Sequence, residues 1–192
     1  MIDAQVSVLG DDGYTSEEEE IFSNEGDNLY AGERWAEGFE DQFWARFDNV
    51  LIPSGVTITV AYLSVYSGGF NVGNKEQVFA DDQSDPAAPT TYADHRGRSR
   101  TTAGSEAWEV PAGTNEWRNS PSIVDVIQEL VDSYDYSAGD HAIQILVDQH
   151  ATCTDYCGFG CRSYDWVDTV HAPKLYIEWV RTKGPLPRFH HC

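Results

Sequence analysis

The stretch that most constrains this chain is VTITVAYLSVY, residues 56–66. It consists almost entirely of β-branched and aromatic residues, which pack well on a pleated sheet. A turn containing Pro53 and Gly55 precedes it, and a Gly-Gly pair follows it. The run therefore predicts a long β-strand around which the rest of the fold is built.

Strand-like alternation also occurs in residues 5–9, 43–50, 142–147 and 174–180. One segment, over about residues 121–133, has apolar residues at helical spacing instead. Many strands with one helix predict an all-β fold, an antiparallel sandwich with one short α-helix. The length suits a single domain over residues 1–182, and the two prolines in residues 183–192 predict an extended C-terminal tail.

The charge balance restricts the partners. The 192 residues include 32 acidic and 12 basic side chains, a formal net charge of −20. This charge repels phosphate backbones, which argues against nucleic-acid binding, and it favours solubility or neutralisation by divalent cations. No stretch reaches the roughly 20 apolar residues that cross a bilayer. The N-terminal sequence also lacks the basic and apolar regions of a secretory signal.

Calcium is the cofactor for which the sequence offers ligands. Asp81, Asp82 and Asp85 lie close together in a loop-rich region, and Ca²⁺ takes carboxylate and carbonyl oxygens that one loop often supplies. Asp11 and Asp12 form a second, smaller candidate. The alternative is that each cluster consists of exposed turn aspartates. No other cofactor is indicated.

Three of the four cysteines lie within nine residues, Cys153, Cys157 and Cys161, and the fourth is Cys192. Disulfide bonds would use all four: Cys153 or Cys157 closes onto Cys161, and the other holds Cys192 and so ties the tail to the body. A zinc site with His150 or Cys192 as the fourth ligand is one alternative. Free thiols are the other.

Glycan binding would use exposed aromatic rings. Three tryptophans lie in or near loops and are the candidate glycan-binding residues: Trp35, Trp108 and Trp117. The other three lie in strand patterns and are predicted to be in the core: Trp44, Trp166 and Trp179.

Arg96, Arg98 and Arg100 alternate along the chain, so a strand would place all three on one face. Such a row fits either a phosphate or acidic-glycan site or a set of ion pairs with nearby carboxylates. No nucleophile elbow, zinc-protease helix or phosphate-binding glycine loop occurs in the sequence. We therefore expect no enzymatic activity and no catalytic residues.

Three segments together resemble a known family: FWARFDNVLIPSGVTITVAYLSVY (43–66), NSPSIVDVIQELVDSYDYSAGDHAIQILV (119–147) and YDWVDTVHAPKLYIEWV (164–180). In this order and at these distances they resemble DNRLRE-type modules, and the match spans roughly residues 5–181. The resemblance implies a jelly-roll sandwich. It also implies a non-catalytic module of the kind found in secreted bacterial surface proteins and phage virion or tail proteins, some of which bind polysaccharide.

The resemblance implies a structural or surface protein. Because the module fills nearly the whole chain and no signal precedes it, we expect a virion decoration, head-fibre or tail component that acts through protein–protein contacts. The alternative is a carbohydrate-binding module or adhesin. The expected partners are proteins of a larger assembly, including further copies of this chain in a homo-oligomer, and a polysaccharide. Nucleic acid and membrane are not expected partners. The expected location is a virion or an extracellular surface.

Overall fold

A computed structural model of the chain describes residues 1–33, 38–72, 75–109, 114–153, 157–167 and 169–181. The strands within these residues are β1 (Ile2–Gln5), β2 (Asp12–Ser16), β3 (Ile21–Ser23), β4 (Asn28–Glu33), β5 (Glu40–Val50), β6 (Val56–Val72), β7 (Glu76–Ala80), β8 (Thr114–Asn119), β9 (His141–Gln149), β10 (Gly158–Arg162) and β11 (Lys174–Arg181). The helical elements are a 3₁₀ turn (Glu18–Glu20), α1 (Tyr92–Arg96) and α2 (Val124–Ser133). The expected tail, residues 183–192, lies outside the described residues.

The strands form two layers. One layer has the order β8-β6-β11-β1, and the other has the order β7-β9-β5-β2-β3. Strand β10 pairs with β6 of the first layer and with β4, and β4 in turn pairs with β5 of the second layer. All of these pairs are antiparallel, so the prediction of an all-β antiparallel sandwich is confirmed.

Strand β6 is the long strand that the sequence predicts, and it extends to Val72. It runs further than expected because different neighbours pair with it in turn: β11 along residues 56–64, β8 along residues 64–68 and β10 along residues 67–72. Its side chains alternate, as the sequence pattern requires. Leu63 and Val65 are buried in the core, whereas Tyr62 and Tyr66 are only half-buried.

The predicted helix is present, but α2 begins at Val124 instead of near residue 121. The start is delayed because Ser120 and Ile123 still donate backbone hydrogen bonds to the edge of β6, at Leu63 and Ala61. The helix is also joined to this edge by a side chain. Gln128 accepts a hydrogen bond from the backbone nitrogen of Ile58, at 2.8 Å, and so takes the place of a strand partner.

The core lies between the two layers, where the inward side chains of both sheets meet in one cluster. From the first layer these are Ile58, Leu63, Val65, Leu175 and Ile177, and from the second Phe43, Ala45, Phe47, Ile143, Ile145 and Val147. Helix α2 adds Val126, Ile127 and Leu130. No helix within the described residues is long and apolar enough to span a membrane.

The outer face of the second layer is covered by the segment of residues 81–105, which includes the unexpected helix α1. The His95 ring lies 4.7 Å from the ring of Trp44 on β5, and both residues are fully buried. His95 Nδ1 is 2.8 Å from the hydroxyl of Thr15 on β2. Burial, together with the charges of Arg100 and Arg96, lowers the pKa of His95 to about 3. The loop-rich region is therefore a packed cover.

Candidate functional site

The outer face of the first layer carries a group of stacked rings, which we call the aromatic cluster: Tyr66, Trp117, Trp166 and His171. Tyr66 on β6 and Trp117 on β8 are directly paired across the strands, and their ring centroids are 5.5 Å apart. The segment between β10 and β11 brings the other two rings. His171 lies 3.8 Å from the ring of Tyr66 and 4.9 Å from that of Trp166. None of these rings belongs to the hydrophobic core.

Two cationic side chains contact the cluster. The ammonium of Lys174 lies 4.1 Å from the centre of the Trp117 ring, and the guanidinium of Arg162 lies 4.4 Å from the centre of the Trp166 ring. Cations are attracted to the negative faces of aromatic rings. Because the chain has only 12 basic residues against 32 acidic ones, two of them at this cluster give the surface a distinct local charge.

The aromatic surface continues along the same sheet. Tyr62 on β6 stacks on Tyr176 on β11, with ring centroids 5.0 Å apart and planes at 14°. The Tyr176 hydroxyl donates a hydrogen bond to Glu178, which raises the pKa of Tyr176 to about 12. The outward positions of three adjacent strands therefore present rings together with polar groups.

An open cleft of about 740 Å³ lies beside the cluster, and Trp117 forms one of its walls. Glu109, Arg118 and Asn119 contribute polar groups to the lining. Arg118 forms an ion pair with Glu116 at 2.7 Å, yet its Nε is buried and has no hydrogen-bond partner among the described residues. A buried donor without a partner is costly.

The tryptophan predictions have mixed outcomes. Trp117 is 37% exposed, as a ligand platform requires, whereas Trp108 is only 4% exposed and packs against Phe159. Trp108 also lines the cleft, but with so little of its surface exposed it offers little area on which a sugar could stack. Trp35 lies outside the described residues. The prediction that Trp166 belongs to a core strand is wrong, because it lies in a turn and is half-buried.

The three aspartates proposed for calcium point to separate protein partners. Asp81 is fully buried and accepts hydrogen bonds from Arg98, at 2.7 Å, and from Gln83, at 3.0 Å. Asp82 accepts one from the hydroxyl of Tyr134, and Asp85 accepts one from a backbone nitrogen of β9. Within the described ranges, no three carboxylate, imidazole or thiol groups are placed together to hold a metal ion. These aspartates fasten the cover segment.

The arginine row is engaged in ion pairs, which is the second of the two interpretations. Arg98 contacts Asp81 and Asp94, at 2.7 and 3.0 Å, and Arg100 makes a bidentate contact with Asp148. The three do not lie on one strand, because Arg96 is the last residue of α1. The row therefore holds the cover segment onto the second layer.

Cys153 forms a disulfide with Cys157, so the expectation of a covalent staple in this loop is confirmed. The expected pairing through Cys161 is wrong. Cys161 lies in β10 two residues after Phe159, and strand alternation turns both side chains into the core. Burial raises the pKa of its thiol well above the ordinary value. Cys192 lies outside the described residues.

Sequence reasoning did not identify Tyr66, His171 or Lys174 as site residues. The alternation of β6 already implied that Tyr66 faces away from Leu63 and Val65. Its pairing with Trp117 depends on strand register, which nothing local in the sequence determines.

No protein-family model matches the chain, and no curated protein is significantly similar to it.

Proposed function

We propose that this protein is a non-enzymatic surface protein that binds carbohydrate through the aromatic cluster and the adjoining cleft. The observation that carries the proposal is the contact between Tyr66 and Trp117 on the outer face of the sheet, with Trp117 37% exposed. The C–H groups on the face of a sugar ring carry partial positive charge, and they stack favourably on the electron-rich face of an aromatic ring.

Polar groups beside the rings also favour carbohydrate binding. Binding sites for small ligands combine apolar walls with a few polar groups that fix orientation. The cleft supplies a carboxylate from Glu109, an amide from Asn119 and the guanidinium of Arg118. Sugar hydroxyls both donate and accept hydrogen bonds, so such a mixed lining suits them.

The charge at the cluster suggests the class of glycan. Lys174 and Arg162 lie over the two tryptophan rings, within 4.1 and 4.4 Å of their centres, on a protein with a net charge of −20. A sugar that carries a carboxylate would meet these cations, whereas the rest of the surface would repel it. We therefore expect stronger binding to acidic than to neutral polysaccharides.

The test is a glycan array followed by calorimetric titration of the best ligand. Trp117→Ala is expected to weaken binding by roughly 10- to 100-fold, which is what loss of a well-packed aromatic contact costs. Val167→Ala is the matched control, because Val167 is 90% exposed in the segment that carries Trp166. Absence of saturable binding to any glycan, or unchanged binding by Trp117→Ala, would contradict the proposal.

A second function, as a component of a larger assembly such as a virion surface, is favoured by another observation. Four exposed apolar side chains come from two neighbouring segments: Val8, Leu9, Val167 and Val170. Gln5 joins these segments by donating side-chain hydrogen bonds to the backbone carbonyls of residues 169, 170 and 172. Apolar groups gathered on a surface are typical of protein contacts. The resemblance to DNRLRE-type jelly-roll modules supports the same proposal, including a homo-oligomer on a virion or extracellular surface.

Light scattering coupled to size exclusion tests this second function. We expect an oligomer that dissociates in the double variant Val167→Asp, Val170→Asp. A wild-type protein that stays monomeric at high concentration, and that never accompanies particles during purification, would contradict it.

A further inference from the structure

Strand β8 has an open edge that borders the cleft beside the aromatic cluster. An uncovered strand edge presents backbone N–H and C=O groups that pair readily with another chain, so folds usually cover it. The edge of β7 is covered, because Thr101, Ser105 and Trp108 donate backbone hydrogen bonds to its carbonyls. The edge of β6 is covered first by α2 and then by β8. The outer edge of β8 has no such cover among the described residues.

Two residues of β8 direct their backbone groups away from β6. In an antiparallel pair, residues that exchange hydrogen bonds with the neighbouring strand alternate with residues whose N–H and C=O point the opposite way. Ser120 donates its backbone hydrogen bond to Leu63 at 2.7 Å, so Ser120 and, two residues earlier, Arg118 belong to the bonded set. The N–H and C=O groups of Trp117 and Asn119 therefore point to the open edge, where the described part of the chain provides no backbone partner.

The opposite wall of the cleft, residues 107–109, has the same property. Trp108 and Glu76 exchange two backbone hydrogen bonds, at 2.8 and 3.2 Å, as an antiparallel pair does. By the same alternation, the backbone groups of Ala107 and Glu109 point away from β7, and both residues line the same cleft as β8. The cleft thus lies between two strand edges, and both edges carry backbone donors and acceptors without a backbone partner in the described ranges.

The cleft interrupts a ring of paired strands. From β8 the ring runs through β6, β10, β4, β5, β9 and β7 to residues 107–109, which lie across the cleft from β8. Each step between named strands in this order is an antiparallel pair. One further strand would close the ring and cover both edges that flank the cleft. The cleft volume of about 740 Å³ is within the range of binding pockets.

We propose that an extended segment of a partner protein binds in this cleft as an added β-strand, which pairs with β8 on one side and with residues 107–109 on the other. A strand offers N–H and C=O groups to both sides at the repeat that the two walls require. Addition of a strand to an exposed edge is a recurring mode of peptide recognition, in which the main chain provides affinity and alternate side chains provide specificity.

The charge around the cleft indicates which side chains the added strand carries. Glu106, Glu109 and Glu116 are exposed on or beside its walls. Two cations pair with members of this group: Lys75 lies 3.5 Å from Glu109, and Arg118 lies 2.7 Å from Glu116. Acidic groups thus outnumber basic ones here, on a protein with a net charge of −20. A segment with lysine or arginine at alternate positions is attracted to this cleft, whereas an acidic segment is repelled.

The test is an array of peptides of about eight residues, blocked at both ends, with lysine at alternate positions and valine, isoleucine, threonine or tyrosine between them. The tightest peptide is then titrated into the full chain by calorimetry, where we expect saturable binding with a Kd of roughly 1–100 μM. The same peptide with every second backbone nitrogen methylated cannot donate hydrogen bonds to one wall, and should bind at least about tenfold more weakly. The inference does not rest on the carbohydrate binding proposed above, and this test uses no glycan.

Variants and hydrogen exchange locate the strand. Asn119→Pro removes an N–H that points into the cleft, and proline is tolerated on an open edge. It should bind the peptide at least about fivefold more weakly than Asn119→Ala, which keeps that N–H. If Asn119→Pro does not fold, the methylated peptide decides. The amide hydrogens of Trp117 and Asn119 should exchange at least about tenfold more slowly when the peptide is bound. Absence of saturable binding by every peptide, equal binding of the methylated peptide, or unchanged exchange at these two amides would overturn the proposal.

Discussion

Replacing Glu76 by Gln is expected to stabilise the protein increasingly as the pH rises. Glu76 begins β7 and is completely buried, and neither of its carboxylate oxygens has a hydrogen-bond partner among the described residues. Burial raises its pKa well above the ordinary value of 4.5, and the charges of Glu40, Asp148 and Asp41 raise it further. The folded protein therefore favours the neutral, protonated form of this side chain.

The sign of the effect follows from the direction of the shift. A carboxyl group whose pKa is higher in the folded state contributes full stability below its unfolded pKa, near 4.5, and loses it as the pH rises toward the folded pKa. Within that window the wild type loses up to about 1.4 kcal/mol per pH unit. Gln has nearly the same shape and does not titrate. The free-energy difference between Glu76→Gln and the wild type should thus grow by ~2.7 kcal/mol over two pH units.

Urea unfolding followed by tryptophan fluorescence, from about pH 5.5 to about pH 8, measures this difference, and the lower bound avoids precipitation near the pI of about 4.3. Glu109→Gln is the control, because that side chain is 69% exposed. A difference for Glu76→Gln that does not change with pH would refute the reasoning, since it would mean that Glu76 titrates alike in both states.

Three further predictions concern the interior. Arg98→Met leaves the buried carboxylate of Asp81 unpaired, and should lower the free energy of unfolding by about 3–5 kcal/mol in urea; a loss below about 1 kcal/mol would argue against a buried pair. Gly32 and Gly38 both have positive φ, but a Cβ on Gly32 would lie 1.9 Å from a carbonyl oxygen whereas Gly38 is open. Gly38→Ala should cost about 1 kcal/mol and Gly32→Ala at least about 2 kcal/mol more, and equal losses would count against this packing. Iodoacetamide should label the peptide containing Cys161 only after unfolding, because its thiol is fully buried, and mass mapping of labelled native protein would reveal any earlier reaction.

The sequence determines much of the fold through local patterns. Alternation predicted the long strand β6, and the helical stripe predicted α2 apart from its first turn. Alternation also accounts for Cys161, since a strand at residues 158–162 turns every second side chain into the core. A loop was expected there because three cysteines and two glycines lie close together. The cysteines and glycines therefore led to the prediction of a loop at residues where the structure has strand β10.

The candidate site could not be predicted in the same way, because its parts meet only through long-range pairing. Trp117 reaches Tyr66 through the register of β8 on β6, and Trp166 arrives on a turn about 50 residues further along the chain. The acidic and basic residues of the segment 81–105 were also ambiguous, because their sequence fits either ion pairs or a binding site. Asp81 had to be seen beside Arg98 before a structural role could be separated from a metal site.

The outer face of the second layer is covered by a packed segment, whereas the outer face of the first layer leaves an aromatic ring exposed. This contrast is the main reason to propose a functional site on the first layer. On the second layer, outward Trp44 is sealed by His95, and ion pairs such as Arg98–Asp81 hold the cover in place. On the first layer, Tyr66 and Trp117 also point outward, yet Trp117 retains more than a third of its surface. Rings on an outward face lose stabilisation when they stay in water. One such ring is covered completely and the other stays open beside a polar cleft, and on this difference the proposed ligand site rests.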